Sequence, residues 1–402
     1  MKKFSGKIAL IAAATGLICA ASPSAYAGTA DGENGGSTIS TVPLPKFRVS
    51  LSILEGYDDN VFTTTDSLAT KSWYNTAQAD VFADLGNSRT VFTLGVGAGL
   101  TYYYSRPGDK SDKLAHLSLD IVHKVNDRLT ITFNSYNTYQ VQPQFDLQVE
   151  QNRVNGQYYY TSQSLSAAYQ WTRRFSTVTS YQMTGIFYEE QSAKITNDYI
   201  QQTFGNQFRY LLTPTTTAVA EYRFGLVNYL YENALNVTTN YGLVGFDHTF
   251  SPRFTMSLRA GGAIQNQKVG GTSTSPYAEL TANYQYQRYS AIQGYLNYGF
   301  QYSNLAVAQS NKALRIGITD TQAITPKLIA TLGFFYEHDD YSSTPSVAGY
   351  TDDTLNVNLG LRYPITPKLN IQANYQHVAL LSSVASQRYN QNVVSFGANY
   401  SF

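Results

Sequence analysis

From Phe47 onward the chain alternates apolar and polar side chains with a period of two. Leu355, Val357, Leu359, Leu361 and Tyr363 alternate with Asn356, Asn358, Gly360 and Arg362. Phe92, Leu94, Val96, Ala98, Leu100 and Tyr102 alternate with Thr93, Gly95, Gly97, Gly99 and Thr101. Successive side chains of a strand point to opposite faces, so each segment has one apolar face and one polar, often small, face. Tight turns fall near Asn87, Asn126, Arg173 and Arg288, and at Thr213-Pro214, Ser251-Pro252-Arg253, Thr325-Pro326-Lys327-Leu328 and Thr366-Pro367-Lys368-Leu369. Proline suits a turn because its φ is fixed, and it cannot donate into a sheet ladder. Longer loops are expected near 63–72, 105–112, 142–157, 190–197, 232–237, 267–275, 304–311, 341–350 and 382–388. The tight turns recur roughly every 40 residues, one strand pair apart.

This pattern predicts an all-β chain of roughly 18 strands, with 16 also fitting the count, short turns on one side and long loops on the other. The rival is a soluble β-sandwich or β-helix, whose strands are usually shorter than these. Composition decides for the membrane. Charged residues are only 14% of the 402, against about 25% in ordinary soluble domains, while aromatics reach 14% and Tyr alone numbers 34. The expected fold is a transmembrane antiparallel up-and-down β-barrel, closed so that no edge is exposed. No stretch reaches 18 consecutive apolar residues, so transmembrane helices are not expected. A net charge of +1 gives no reason to expect nucleic acid as a partner.

The first residues read as an export signal. Lys2, Lys3 and Lys7 precede the apolar run Ile8–Ala21, and Ala25-Tyr26-Ala27 is a small-x-small cleavage site. Cleavage after Ala27 is expected, with residues 28–45 as a flexible periplasmic tail and 46–402 as the barrel. Cys19, the one cysteine, lies in the leader, so the remainder has neither disulfide nor thiolate site.

With the apolar set facing lipid, Arg209, Arg223, Arg259, Arg315 and Arg362 face inward, as do Asp80, Asp84, Asp120, Glu221, Asp247 and Glu279. These are the expected pore-lining charges. Acids alone carry the inward charge of strands 2–4, and the arginines come from strands 8–16. Opposed rows would create a transverse field; local cross-strand ion pairing, for example of Arg223 with Glu221 or Glu279, is the other arrangement. Gln142–Gln157 is the expected inward-folding constriction. Aromatic girdles are expected at Trp171, Phe175, Tyr210, Phe250, Phe254, Tyr289 and Tyr363 by the short turns, and at Tyr102, Tyr136, Tyr188, Tyr229, Tyr302 and Tyr336 toward the loops. Tyr158, Tyr159 and Tyr160 would otherwise stack on sugars.

No catalytic constellation, cofactor motif or metal site is expected. His123, His248 and His377 fall on outward positions. His338 lies in Glu337-His338-Asp339-Asp340, read as a loop edge opposite Asp352-Asp353. The acidic tip Asp58-Asp59-Asn60 has oxygen ligands suited to Ca²⁺ or Mg²⁺, without EF-hand spacing. The chain is therefore read as a non-enzyme.

Two resemblances add to this. Ser395 to Phe402 ends polar-x-Gly-x-x-apolar-x-apolar, and resembles the C-terminal signal by which outer-membrane barrels are recognised by their assembly machinery; it carries over to Gly397, Tyr400 and Phe402. Glu55-Gly56-Tyr57-Asp58-Asp59-Asn60-Val61-Phe62 resembles the opening motif of the BBP2-type family of outer-membrane β-barrel porins, on Tyr57, Asp58, Asp59 and Asn60. That resemblance implies a Gram-negative-type outer-membrane barrel, with some relatives linked to exopolysaccharide export. The expected function is passive diffusion of small hydrophilic solutes. An exopolysaccharide conduit is the alternative, and a structural or adhesive surface barrel the second alternative. Expected partners are outer-membrane lipids, the barrel-assembly machinery, and small polar solutes or polysaccharide; a homo-oligomer is compatible with the sequence.

Overall fold

The structure, a computed structural model, describes residues 46–141, 156–190, 198–268, 271–301, 311–343 and 348–402. The expected leader, the tail and nearly all of the 142–157 constriction segment lie outside the described residues. Eighteen strands follow one another: β1 (Lys46–Asp58), β2 (Ser72–Gly86), β3 (Thr90–Tyr103), β4 (Ser111–Lys124), β5 (Leu129–Gln140), β6 (Tyr158–Gln170), β7 (Phe175–Tyr188), β8 (Tyr199–Thr213), β9 (Thr216–Tyr229), β10 (Val237–Ser251), β11 (Phe254–Gln267), β12 (Gly271–Gln287), β13 (Ser290–Gln301), β14 (Asn311–Ala323), β15 (Ile329–Tyr341), β16 (Tyr350–Pro364), β17 (Leu369–Ser382) and β18 (Tyr389–Ser401). Each pairs antiparallel with its sequence neighbour, and β1 pairs with β18, so the sheet closes on itself. The fold is the all-β transmembrane barrel that the alternation implies.

Side-chain parity divides every strand. One set forms an exposed apolar band, including Leu51, Ile53, Val244, Ile264, Leu332 and Phe396. That face suits lipid, where an unpaired backbone group or charge is costly. The other set points inward and is mostly polar, aromatic or glycine. At the turns, a side-chain oxygen accepts the N–H groups two and three residues on. Asn87 takes Arg89 and Thr90, Thr325 takes Lys327 and Leu328, and Thr366 takes Lys368 and Leu369. In the last two, proline occupies the position between, where a missing N–H costs nothing.

Three expectations are corrected. Of the loop expected over 267–275, Gln267 and residues 271–275 are strand, with Thr272, Ser273, Thr274 and Ser275 of β12 in register with Asn266, Gln265, Ile264 and Ala263 of β11. Just beyond it, Pro276 also sits within β12, opposite Gly262. Second, Tyr136, Tyr188 and Tyr229 are not girdle residues. Their register with Ser162, Tyr158 and Tyr199 places them inward, where Tyr158, Tyr160, Ile186, Tyr188, Tyr199, Val227 and Tyr229 form one buried cluster. Tyr158-Tyr159-Tyr160 puts aromatics on both parities, so alternation alone cannot tell the faces apart. Third, Glu337-His338-Asp339-Asp340 is not a loop edge but the last turnward-to-loopward stretch of β15, in register with Thr354 to Thr351 of β16.

Candidate pore lining

The register places all eleven expected charges on the inward face. Five strands, β8 to β12, bring six of them into one chain of alternating sign. Arg209 Nη2 donates to Asp247 Oδ2 at 2.6 Å. Asp247 Oδ1 accepts from Arg259 Nη2 at 2.7 Å and from the Ser257 hydroxyl at 2.6 Å. Arg259 Nε lies 3.7 Å from Glu221 Oε2, and the other Glu221 oxygen accepts from Arg223 Nε. Arg223 grips Glu279 with both terminal nitrogens, at 2.8 and 3.0 Å. Tyr277 OH, donating to Glu279 at 2.7 Å, completes that end. Three guanidinium groups and three carboxylates thus neutralise one another. Arg259, with no exposed surface, also donates to the Phe246 and Leu258 carbonyls.

The charges therefore pair locally, and the opposed-row arrangement is not what these strands build. Arg315 of β14 follows the same rule, with Nε 2.6 Å from Glu337 Oε1 and Nη1 donating to Gln301. Asp80 sits across Gly97 from His116, whose Nε2 is 3.5 Å away. Acids do not monopolise the inward charge of strands 2–4, since Lys124 shares that parity at the turn end of β4. Asp84 and Asp120 are inward, exposed and near the turns, Asp120 accepting from Asn134 Nδ2 at 2.6 Å. Arg362 faces inward opposite Ile329 and Gln372 and is half-buried.

Several inward groups escape the sequence reading. Glu337, Asp339 and Asp352 are buried on β15 and β16, with Asp339 directly opposite Asp352 and held by Asn311 Nδ2 at 2.8 Å. The sequence carries no clear signal for them, because Glu337-His338-Asp339-Asp340 is polar on both parities. Arg48 faces inward over the Phe82 ring, its guanidinium carbon 4.7 Å from the centroid. His338 itself points outward and pairs with Asp353 at 2.8 Å, an oxygen that also accepts from Tyr336 OH. Among the described residues, no three His, Cys, Asp or Glu side chains converge as a metal shell.

Burial along the inward face is uneven. Near the loops Asp58, Tyr103, Asp112, Tyr158, Tyr229 and Ser382 are buried. Near the turns Asp84, Asp120, Gln170, Asn283 and Gln293 are exposed. Inward side chains are thus more covered near the loops than near the turns, apart from Arg209 and Val219 beside the β8–β9 turn, which are buried.

At the C-terminus, Gly397 faces inward and lies so close to β1 that a Cβ there would come within 2.2 Å of the Ile53 carbonyl. Tyr400 and Phe402 face outward, edge to face with ring centroids 4.9 Å apart.

Comparison with known proteins agrees with this architecture. Residues 313–402, covering β14 to β18, match the family model described as Putative beta-barrel porin 2. A BenF-like porin from Pseudomonas fluorescens Pf-5 superposes with a TM-score of 0.50 at 10% identity, over 90% of this chain and all of that one (100%). OpdK from Pseudomonas aeruginosa, solved with vanillate, gives 0.49 at 9% identity over 89% of this chain and 99% of its own. The siderophore receptor PirA from Acinetobacter baumannii gives 0.45 at 9% identity over 89% and 80%. No curated protein sequence matches the chain.

Proposed function

With a C-terminal segment that matches a β-barrel porin family and a whole barrel of porin fold, we propose that the chain is an outer-membrane porin for small hydrophilic solutes. Residues 1–27 serve as its export leader, cleaved after Ala27, and residues 28–45 as a periplasmic tail. Gly397, Tyr400 and Phe402 present the barrel to the assembly machinery. The observation that carries the reading is the inward face: a closed barrel of eighteen strands whose interior is polar, charged and more exposed near the turns than near the loops. Barrels of this strand number enclose an aqueous channel. The ladder from Arg209 to Glu279 and the Arg315–Glu337 pair then form a charge-neutral, hydrogen-bonding wall. Solutes are selected there by size and polarity before sign of charge.

Liposome swelling tests this. Vesicles carrying the refolded chain should swell in small sugars and amino acids, at rates that fall steeply with solute mass. A folded barrel that admits none of them would overturn the reading.

An exopolysaccharide conduit is the second reading. The inward tyrosine cluster around Tyr158, Tyr188 and Tyr229 favours it, because aromatic rings with a polar tip offer an extended amphipathic surface. In that case vesicles would stay impermeable to monosaccharides, yet a neutral oligosaccharide would bind the barrel and shift its tyrosine fluorescence.

A further inference from the structure

The pore does not use the motif Asp58-Asp59-Asn60, although the structure buries two of its three side chains. Asp58 is 1% and Asn60 0% exposed. All three reach the first residues of β18. Gln391 Nε2 donates to both Asp58 oxygens, at 3.1 and 2.9 Å, and to the Asn60 carbonyl at 3.2 Å. Asp59 takes the Asn392 backbone N–H and side-chain Nδ2, each at 2.7 Å. Asn60 Nδ2 donates to the Asn390 carbonyl at 2.9 Å. Asp66, on the following loop, accepts the backbone and side-chain N–H groups of Asn390, both at 3.1 Å. The β1 side supplies carboxylates and the β18 side supplies neutral donors, so the carboxylate bonds are charge-assisted. Asn392 is held in this orientation from behind, because its Oδ1 accepts from Tyr375 OH and lies 2.9 Å from His377 Nδ1.

The place matters more than the number of bonds. Every other strand interface joins sequence neighbours, whereas this one joins residues 333 apart. It carries the largest loop-closure cost and rewards it last. Its ladder is also short. The β1–β18 register runs from Ser50 opposite Ser401 to Asp58 opposite Val393, whereas β1–β2 runs the whole strand from Lys46 to Asp58.

We propose that Asp58-Asp59-Asn60 is a closure latch: it locks the first strand to the last at the loop end of the seam and fixes their register once the barrel has shut. The carboxylates are thereby committed to Gln391 and Asn392, not to a cation. The tight approach at Gly397 seats the middle of the seam, and the Phe402 N–H bond to the Val49 carbonyl, at 2.9 Å, holds its turn end. The latch sets how long the barrel stays closed and is separate from the charge ladder that runs from Arg209 to Glu279.

Unfolding rates of the full chain in detergent test this, read from the loss of the compact form on unheated gels. Asp59→Asn and Asn392→Asp should each unfold about tenfold faster, as expected for losing one charge-assisted bond. Asp59→Asn combined with Asn392→Asp restores the donor–acceptor match and should return the rate to within about threefold of the original. Asp120→Asn, which breaks a similar bond to Asn134 inside the β4–β5 hairpin, should accelerate unfolding far less. A seam disulfide, Ile53→Cys with Ala398→Cys in a Cys19→Ser chain, should rescue Asn392→Asp when oxidised and not when reduced. The proposal fails if the single variants keep the original rate, if the reciprocal pair is no better than either alone, if Asp120→Asn is as damaging, or if the oxidised seam does not rescue.

Discussion

Arg259 shows what an inward arginine does in this barrel. It is fully buried, yet it is not isolated, because Asp247, Glu221 and two carbonyls surround it. Taking one member from such a pair leaves a buried charge uncompensated, which costs far more than the pair contributes. Arg315→Met should therefore destabilise the barrel by about 3–5 kcal/mol, seen as a lower heat-transition midpoint. Arg315→Met combined with Glu337→Leu should recover most of that loss; equal midpoints for the single and double variants would contradict the pairing. Glycine gives a second residue-scale test. A Cβ on Gly97 would meet Asp80 Oδ1 and His116 Cε1 at 2.2 Å, whereas at Gly242 nothing lies within 4 Å. Gly97→Ala should cost about 1–3 kcal/mol through overpacking, and Gly242→Ala should stay within about 0.5 kcal/mol. Alternation alone placed the arginines on one face with Glu221, Asp247 and Glu279, the acid partners of Arg209, Arg223 and Arg259. It named the acids of Arg223, Glu221 and Glu279, which the structure brings together, but not those of Arg209 or Arg259, because those depend on the stagger between strands. Glu337 was missed for a local reason: four polar residues in a row looked like a loop.

At the scale of the element, several turns were legible because one side-chain oxygen caps each of them, as Asn87, Asn126, Thr325 and Thr366 do. Thr366 closes its turn by accepting from Lys368 and Leu369. Thr366→Val should weaken the β16–β17 hairpin by about 1 kcal/mol, while Thr366→Ser should be close to neutral; thermal melts of the two variants separate the hydroxyl from the methyl. Strand ends were less legible. Above the membrane both faces of a strand meet water or other protein, so the apolar–polar contrast fades. The 267–275 segment was read as a loop there, and the inward tyrosines of β5 to β9 were read as girdle. Trp171, Tyr210 and Phe250, nearer the turns and exposed outward, keep the contrast.

At the scale of the whole molecule, strand number and topology followed from counting turns, since up-and-down connectivity leaves one way to close. What counting could not supply is the seam, whose two halves are Asp58-Asp59-Asn60 and Asn390-Gln391-Asn392, nor the heavier covering of inward side chains near the loops. Both arise only when the sheet curls through a full circle. The central claim is a water-filled, charge-balanced passage, and single-channel recording in a planar bilayer under a KCl gradient tests it most directly. Stable openings with a reversal potential near zero are predicted, and Arg315→Ala, which strips the cation from Glu337, should shift that potential toward cation preference. A correctly folded barrel that stays silent would contradict the account.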